Sequence, residues 1–220
     1  MVIFMEHQKT GGFVTRPEDI EKQSFATITR ELGDLVLPDD IAPVVKRVIH
    51  TSADFDYVRT LRFSPDAVRL GMEALRNGAT IVTDTNMALA GISKPSLSKL
   101  GAKAVCLMAD PEVAALARER GTTRAVISME KASELPGPLI FAIGNAPTAL
   151  IRLHKLTEEG RVSPALVIGV PVGFVNVVES KELFLSSTVP HIIAEGRKGG
   201  SNVAAAICNA LLYEAVGRKL

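Results

Sequence analysis

The sequence predicts a three-layer α/β fold, α/β/α, with a mostly parallel central sheet of about five strands and helices at the N-terminus. Short apolar runs alternate with amphipathic segments from Thr80 onward, which is the strand–helix–strand order of parallel α/β proteins. The runs are continuous rather than alternating with polar residues, as expected when helices cover both faces of a sheet. A length of 220 residues with 47% hydrophobic side chains is enough for one sizeable core.

Helix signals dominate the first third of the chain, after residues 1–15, for which we expect an irregular N-terminal arm. Apolar residues recur there at helical spacing between typical start signals (a hydroxyl, an acid or a proline) and stop signals such as glycine. Three helices are predicted. The first begins at Thr15–Asp19 and ends near Gly33, and the second begins near Asp39–Asp40 and ends around His50. The third begins at Ser64–Asp66 and ends at Gly78.

Strands and helices then alternate to the C-terminus. The predicted strands are 80–83, 104–108, 139–143, 165–170 and 191–194. The predicted helices lie near 111–120, 123–134, 147–159, 176–185 and 201–216. No internal repeat, low-complexity segment or linker divides the chain, so residues 1–220 are predicted to form a single domain.

Composition excludes several classes of protein. The net charge is +1, which does not favour a nucleic-acid or acidic-membrane partner. The sequence has no apolar run of about 18 residues that would cross a membrane. Its N-terminus is too soon interrupted by charge for a secretory signal, so we expect a cytoplasmic protein. Cys106 and Cys208 lie in apolar runs and are predicted to be buried free thiols.

No metal site is predicted from the histidines. None of them pairs at i, i+4 with another histidine or a cysteine, and they are widely separated: His7, His50, His154 and His191. His50 lies in VIHTSADFDY, directly after the apolar run of the second helix. It is therefore either a catalyst or a polar residue that ends a helix. A Ser/His/Asp triad stays open, without a G-x-S-x-G motif to support it.

Chemistry is expected in the loops after the strands, because ligands of parallel sheets bind beyond the carboxyl ends of the strands. Asp84 follows the first predicted strand and is either a ligand-binding acid or the cap of the next helix. Asn145, in GNAPTAL, is a candidate cap of a helix whose N-terminus suits a carboxylate or phosphate. Only one glycine is present there, so this is not the dinucleotide fingerprint.

Two later loops are rich in glycine. Gly173 lies between apolar residues, either packing against a bulky ligand or making a simple turn. The run Gly196–Asn202 combines two cations, three glycines and Ser201 as a predicted N-cap, which suits carboxylate groups. The Walker A order is absent because Lys198 precedes the glycine pair. A flexible solvated turn is the alternative.

Taken together, these strings resemble one family. AIGNAPTAL, PALVIGVPVGFVNVVESKE and GRKGGSNVAAAICNAL resemble precorrin-8X methylmutases, including the cobalt-precorrin-8 enzymes. The likeness continues through IEKQSFATI, VIHTSADFD, LRFSPDAV and VTDTNMALAGI, so it covers nearly the whole chain beyond the N-terminal arm.

This resemblance implies an isomerase of vitamin B12 (cobalamin) biosynthesis. Such enzymes move a methyl group from C-11 to C-12 of a corrin macrocycle, giving hydrogenobyrinate or its cobalt form, cobyrinate. The resemblance also implies that the protein needs no dissociable cofactor, since any cobalt belongs to the substrate. It further implies a homodimer with active sites near the subunit interface. A non-catalytic corrinoid-binding carrier, or a phosphate- or nucleotide-binding α/β enzyme, is the alternative.

The resemblance also assigns residues. The essential histidine of the family falls on His50, whose expected place at a helix C-terminus favours the imidazolium form. Ser24 and Arg124 match substrate-contacting positions. Further pocket positions fall on Asp84, Met87, Gly91, Ser93 and Asn145. Arg197 and Lys198 are candidate partners of substrate carboxylates, and the KGGSN form indicates the cobalt branch.

Overall fold

The N-terminal third is helical, as predicted. The computed structural model describes residues 14–218, so nearly all of the predicted arm lies outside the described residues. Four helices come first: α1 (Pro17–Glu31), α2 (Ala42–Ser52), the short α3 (Tyr57–Thr60) and α4 (Ala67–Arg76). Helix α2 ends because Ala53 adopts a left-handed conformation, with φ 54°, and donates its N–H to the Ile49 carbonyl over 2.7 Å.

Six strands form one sheet in the order β1-β6-β5-β4-β2-β3. Their bounds are β1 (Leu61–Phe63), β2 (Thr80–Thr83), β3 (Lys103–Cys106), β4 (Leu139–Ile143), β5 (Leu166–Gly169) and β6 (His191–Ala194). The five predicted strands are confirmed and pair in parallel. Strand β1 was not predicted, because an antiparallel edge strand of three residues with Arg62 at its centre has no apolar run.

The remaining helices connect the strands. They are α5 (Asn86–Gly91), α6 (Lys94–Leu100), α7 (Pro111–Glu119), α8 (Arg124–Ala132), α9 (Pro147–Glu158), α10 (Val177–Leu185) and α11 (Ser201–Ala215). Helices α7 to α11 confirm the five predicted ones. The unpredicted α5 and α6 have 6 and 7 residues, too few to show a helical repeat of apolar positions.

Alternate residues of each central strand point into two separate cores, which gives the predicted three layers. Ile140 packs in the core that also contains residues of α2, α4 and α11. Phe141, its neighbour in β4, packs in the core with residues of α8, α9 and α10. Helix α1 packs on α2. No helix within residues 14–218 is long and apolar enough to cross a membrane.

Strands β2 and β4 are neighbours, with β3 on one side of the pair and β5 on the other. The chain therefore leaves this pair in opposite directions, which opens a crevice at the carboxyl ends of the two strands. We call the segments that follow β2, β4, β5 and β6 the strand-end loops; they comprise residues 84–87, 144–147, 171–176 and 195–200.

Candidate active site

Asp84 joins the two strands at the crevice. Its side chain is 1% exposed, and its carboxylate accepts the N–H groups of Gly144, Asn145 and Ala146 over 2.8, 2.8 and 2.6 Å. Burial raises the pKa of Asp84, and the three donors oppose that rise. Asp84 does not cap the helix that follows it, since Thr85 caps α5. It instead holds the backbone that leads into α9.

Asn145, which follows Gly144 in this loop, has a different structural role from the one predicted. The N-cap of α9 is Ala146, with no side-chain hydrogen bond, so Asn145 is not the cap predicted from the sequence. The Asn145 side chain is exposed beside the crevice. Because Asn145 caps no helix, its exposed side-chain amide is available to a ligand.

Close contact with the backbone of Val170 explains why glycine stands at position 199 and allows Gly200 to bond to it. Gly199 has a φ of 157°, and a Cβ added there would lie 2.1 Å from the Val170 carbonyl oxygen. Gly200 donates its N–H to the same carbonyl over 2.9 Å and is the N-cap of α11. Ser201 is therefore not the predicted N-cap; its hydroxyl lies 2.7 Å from that of Thr85.

Exposed apolar and cationic groups line the strand-end loops. Met87 and Phe174 are 72% and 83% exposed, although methionine and phenylalanine normally lie inside proteins. The Arg197 guanidinium lies 5.5 Å from the centroid of the Phe174 ring. Arg124 is exposed at the first residue of α8, next to Thr123, whose hydroxyl lies 3.2 Å from that of Thr148 in the first turn of α9.

Gly91 and Ser93 lie at the junction of α5 and α6 and pack on α11. A Cβ on Gly91 would lie 2.9 Å from the Cβ of Ala205. Asn209 of α11 accepts the N–H of Ser93 and donates to the carbonyl of Gly91, each over 2.8 Å. The Ser93 hydroxyl caps α6 by accepting the N–H of Ser96. Their backbones are thus fixed, which sets where the Ser93 side chain sits.

His50 and Ser24 line one groove, of about 620 Å³, between α1 and α2. Val14, Ile20, Ile28, Ile49 and Phe55 make most of its wall apolar. His50 lies in the last turn of α2, as predicted, and its ring is exposed. The Ser24 hydroxyl donates to the Ile20 carbonyl within α1 over 2.8 Å.

The electrostatic setting of His50 differs from the sequence-based expectation. Its ring stacks on Phe25 with centroids 5.2 Å apart, and the Arg47 guanidinium lies 4.6 Å from the same Phe25 centroid. Arg47 is buried and forms an ion pair with Glu21. Partial burial, and then the charge of Arg47, lower the pKa of His50, while Glu21 opposes them. Neutral imidazole is favoured, although a helix C-terminus alone favours imidazolium.

We expect Arg47→Met to raise the pKa of His50, because it removes the nearby positive charge and leaves the Glu21 carboxylate. Titration of the His50 ring protons by NMR measures this pKa directly. Arg69→Met is a matched control, since Arg69 is an exposed arginine paired with Asp66 and Glu73 outside the groove. An unchanged or lower pKa in Arg47→Met would contradict this account of His50.

Lys198 connects the groove to the strand-end loops. Its ammonium donates to the carboxylates of Asp54 and Asp56 over 2.7 and 2.6 Å, which raises the pKa of Lys198. Asp54 comes four residues after His50, so the loop after β6 is bound to the turn that ends α2. The positive charge of Lys198 is thus partly neutralised, whereas Arg197 has no carboxylate partner within residues 14–218.

Sequence reasoning missed two buried cations, Arg47 and Lys181. Lys181 is 1% exposed in α10, where Val177, Ser180 and Phe184 are also buried. The stripe is apolar only at its two ends, Val177 and Phe184, so the sequence did not reveal that Lys181 is buried between them. Arg47 lies three residues after the buried Val44 of α2. Within the described part of the chain, no cluster of three metal-binding side chains occurs.

The switch-point crevice is where open α/β sheets bind ligands, and an apolar groove with a few polar groups such as His50 has the lining of a small-molecule site. The family model for precorrin-8X methylmutase matches residues 19–214. The chain belongs to this family and is therefore an isomerase of cobalamin biosynthesis, as the resemblance implied.

Individual relatives agree with this assignment over nearly their whole length. The chain is 46% identical over 196 residues to a cobalt-precorrin-8 methylmutase of Priestia megaterium, covering 89% of this chain and 87% of the relative. It is 45% identical to that of Salmonella typhimurium, covering 91% and 97%. A crystal structure of precorrin-8X methylmutase from Thermus thermophilus superimposes with a TM-score of 0.83 at 42% identity, covering 91% and 97%.

Proposed function

We propose that this chain moves a methyl group from C-11 to C-12 of precorrin-8X or cobalt-precorrin-8, giving hydrogenobyrinate or cobyrinate. His50 is the acid–base group of this proposal. The observation that carries it is the exposed imidazole of His50 in an apolar groove of about 620 Å³ that also contains Ser24. This volume lies within the range of small-molecule sites, about 300–1,000 Å³.

The proposed chemistry needs only a proton donor and a fixed macrocycle. The methyl group leaves and rejoins the same substrate, so no atom is exchanged with the protein. Protonation of a ring nitrogen next to the migrating methyl makes the conjugated system electron-poor and lowers the barrier. The lowered pKa of His50 makes its imidazolium a stronger acid, while a smaller fraction of the protein carries that proton at neutral pH. His50 takes the proton back after migration, and no dissociable cofactor takes part in this proposal.

Substrate carboxylates are proposed to bind cationic and N–H groups of the loop after β6 and of the first turns of α8 and α11. The N–H groups of Gly196 to Gly199 and of Ser201 to Val203 donate to no residue within 14–218. Arg197 and Arg124 supply positive charge, and Met87 and Phe174 supply exposed apolar surface for a macrocycle face. Lys198 adds its remaining charge at the end of the groove.

Charge reversal at Arg124 is expected to weaken corrinoid binding by about tenfold or more, with a smaller effect on the chemical step. The reason is that Arg124 is proposed to contact a carboxylate arm rather than the migrating methyl. Absorption titration gives the affinity, and single-turnover kinetics gives the rate of the chemical step. Arg118→Glu is the control, because Arg118 is an exposed arginine in the last turn of α7. A larger fall in rate than in affinity would contradict the role.

We also propose a cytoplasmic homodimer whose sites lie near the interface. Support comes from the apolar side chains Val172, Phe174 and Val175, which are exposed beside the crevice after β5. Exposed apolar side chains grouped in this way are typical of interaction surfaces. Sedimentation velocity of the purified chain tests the dimer; a monomer at all accessible concentrations would reject it.

Within this family the cobalt-containing substrate is our proposal for the chain. The KGGSN form supports it, together with the names of two relatives at 46% and 45% identity. The test is anaerobic incubation of the purified protein with precorrin-8X and with cobalt-precorrin-8, followed by absorption spectra. Faster turnover of the cobalt form is expected. Binding without isomerisation would instead indicate a corrinoid carrier. Binding of nucleotides but of neither corrinoid would indicate a phosphate- or nucleotide-binding α/β enzyme.

A further inference from the structure

Lys181 is a buried lysine whose amine is bound to main-chain carbonyls. It lies in α10, and its Nζ donates to the carbonyl oxygens of Gly196 and Lys198 over 2.7 and 2.9 Å. No carboxylate within residues 14–218 forms an ion pair with it. Burial lowers the pKa of Lys181 to about 8. A buried amine is unfavourable unless it is hydrogen-bonded, so these two carbonyls satisfy a strong local requirement.

The two acceptors belong to the loop after β6. The carbonyl between them, that of Arg197, accepts the N–H of Gly173 over 3.2 Å. Three successive carbonyls of this loop are therefore bound from within the protein. The N–H groups of residues 196–199, in contrast, donate to no other residue within 14–218. A loop held by its carbonyls keeps its N–H groups available for an anion, as in backbone anion-binding nests.

The same loop carries two side chains of the proposed site. Arg197 extends over Phe174, and Lys198 reaches Asp54 and Asp56 beyond the end of α2. Lys181 binds the main chain on either side of Arg197. Without these hydrogen bonds the loop would still be attached at Gly200, which donates to Val170, and through the Lys198 side chain. The Arg197 carbonyl would also keep its bond to the Gly173 N–H, whereas the carbonyls of Gly196 and Lys198 would lose their donor.

We propose that Lys181 is a positioning residue for substrate binding, which holds the 196–198 main chain so that its N–H groups and Arg197 face the carboxylate arms of the corrinoid. This inference rests on the proposed function for the identity of the ligand. Lys181 is not expected to contact the substrate, because its side chain is buried.

The test compares Lys181→Met with the wild-type protein, because methionine keeps an unbranched side chain and removes the donors. Lys131→Met is the matched control, since Lys131 is a lysine of α8 that pairs with Asp110 and Glu112 outside the site. Hydrogen exchange of the peptide covering residues 195–203 reports on the loop. Absorption titration with cobalt-precorrin-8 gives the Kd, and saturating turnover gives kcat.

In Lys181→Met, the loop amides should exchange faster, and the Kd should rise about tenfold while kcat stays within about threefold. The control should match the wild type. An unchanged Kd in folded Lys181→Met, or a fall in kcat larger than the loss of affinity, would overturn the inference. A purely structural role would lower thermal stability without this split between Kd and kcat.

A second variant covers a failure to fold. Lys181→Gln keeps an amide donor but lacks the reach to both carbonyls, so it should show the same split. If both variants fail to fold while Lys131→Met folds, Lys181 belongs to the fold and the inference is rejected. Turnover by the wild type separately decides the proposed function, and the Kd measurement does not depend on turnover.

Discussion

Replacing His50 with alanine is expected to slow isomerisation by about 10²–10⁴-fold, which is the usual contribution of general acid–base catalysis. Each factor of ten in rate corresponds to about 1.4 kcal/mol of activation free energy. Corrinoid binding should remain, because the other walls of the groove and the strand-end loops are unchanged. Single-turnover kinetics with cobalt-precorrin-8 measures the rate, and absorption titration measures the Kd.

Two further variants make the result specific to proton transfer. His50→Gln keeps a hydrogen-bonding amide that does not titrate near neutral pH, so its rate should be as low as that of His50→Ala. His154→Ala is the control, because His154 of α9 packs edge-on against Phe184 of α10, outside the groove. Turnover by His50→Ala at the wild-type rate would contradict the proposed acid–base role of His50. Full activity in His50→Gln alone would indicate hydrogen bonding rather than proton transfer.

Asp84→Ala should lower the free energy of unfolding by about 3–5 kcal/mol, because it leaves three backbone N–H groups without their acceptor. One of these groups, that of Gly144, lies in a fully buried hydrogen bond. Urea unfolding followed by circular dichroism gives the free energy. The midpoint of thermal unfolding should fall by about 2–4 °C for each kcal/mol.

Asp110→Ala provides the comparison. Asp110 also accepts a backbone N–H, that of Glu112 over 2.8 Å, but it does so at an exposed helix start. Loss of such a cap is expected to cost about 1 kcal/mol. If Asp84→Ala lowers the free energy of unfolding no more than Asp110→Ala does, the hydrogen bonds from Asp84 to the loop before α9 do not stabilise the fold as expected.

Most helices and the five parallel strands were predictable from the sequence, because their signals lie within a few residues of one another. Pro17 with the two acids after it starts α1, and the continuous run LIFAI is the fully buried strand β4. The misses have the same explanation. Strand β1 and helices α3, α5 and α6 are too short to show a period, and β1 exists because it pairs with β6.

The site was predictable only in part. The resemblance assigned Ser24 of α1 and His50 of α2, and the structure places both in one groove. It did not reveal how they are supported. Arg47 forms its ion pair with Glu21, 26 residues away, and Lys181 binds carbonyls 15 and 17 residues further along. Neither partner is identifiable from the residues that flank these cations.

The fold class and the order of most elements follow from the amino-acid sequence alone, and its resemblance to known methylmutases identifies the family and the candidate site residues. The tertiary structure decided what those residues do: Asp84 binds the start of α9, Gly91 packs on α11, and the pKa of His50 is lowered rather than raised. The physical reason is range. Propensity, capping and periodicity act over one or two turns, whereas burial and hydrogen bonding at this site join segments as far apart as Thr85 and Ser201, 116 residues along the chain.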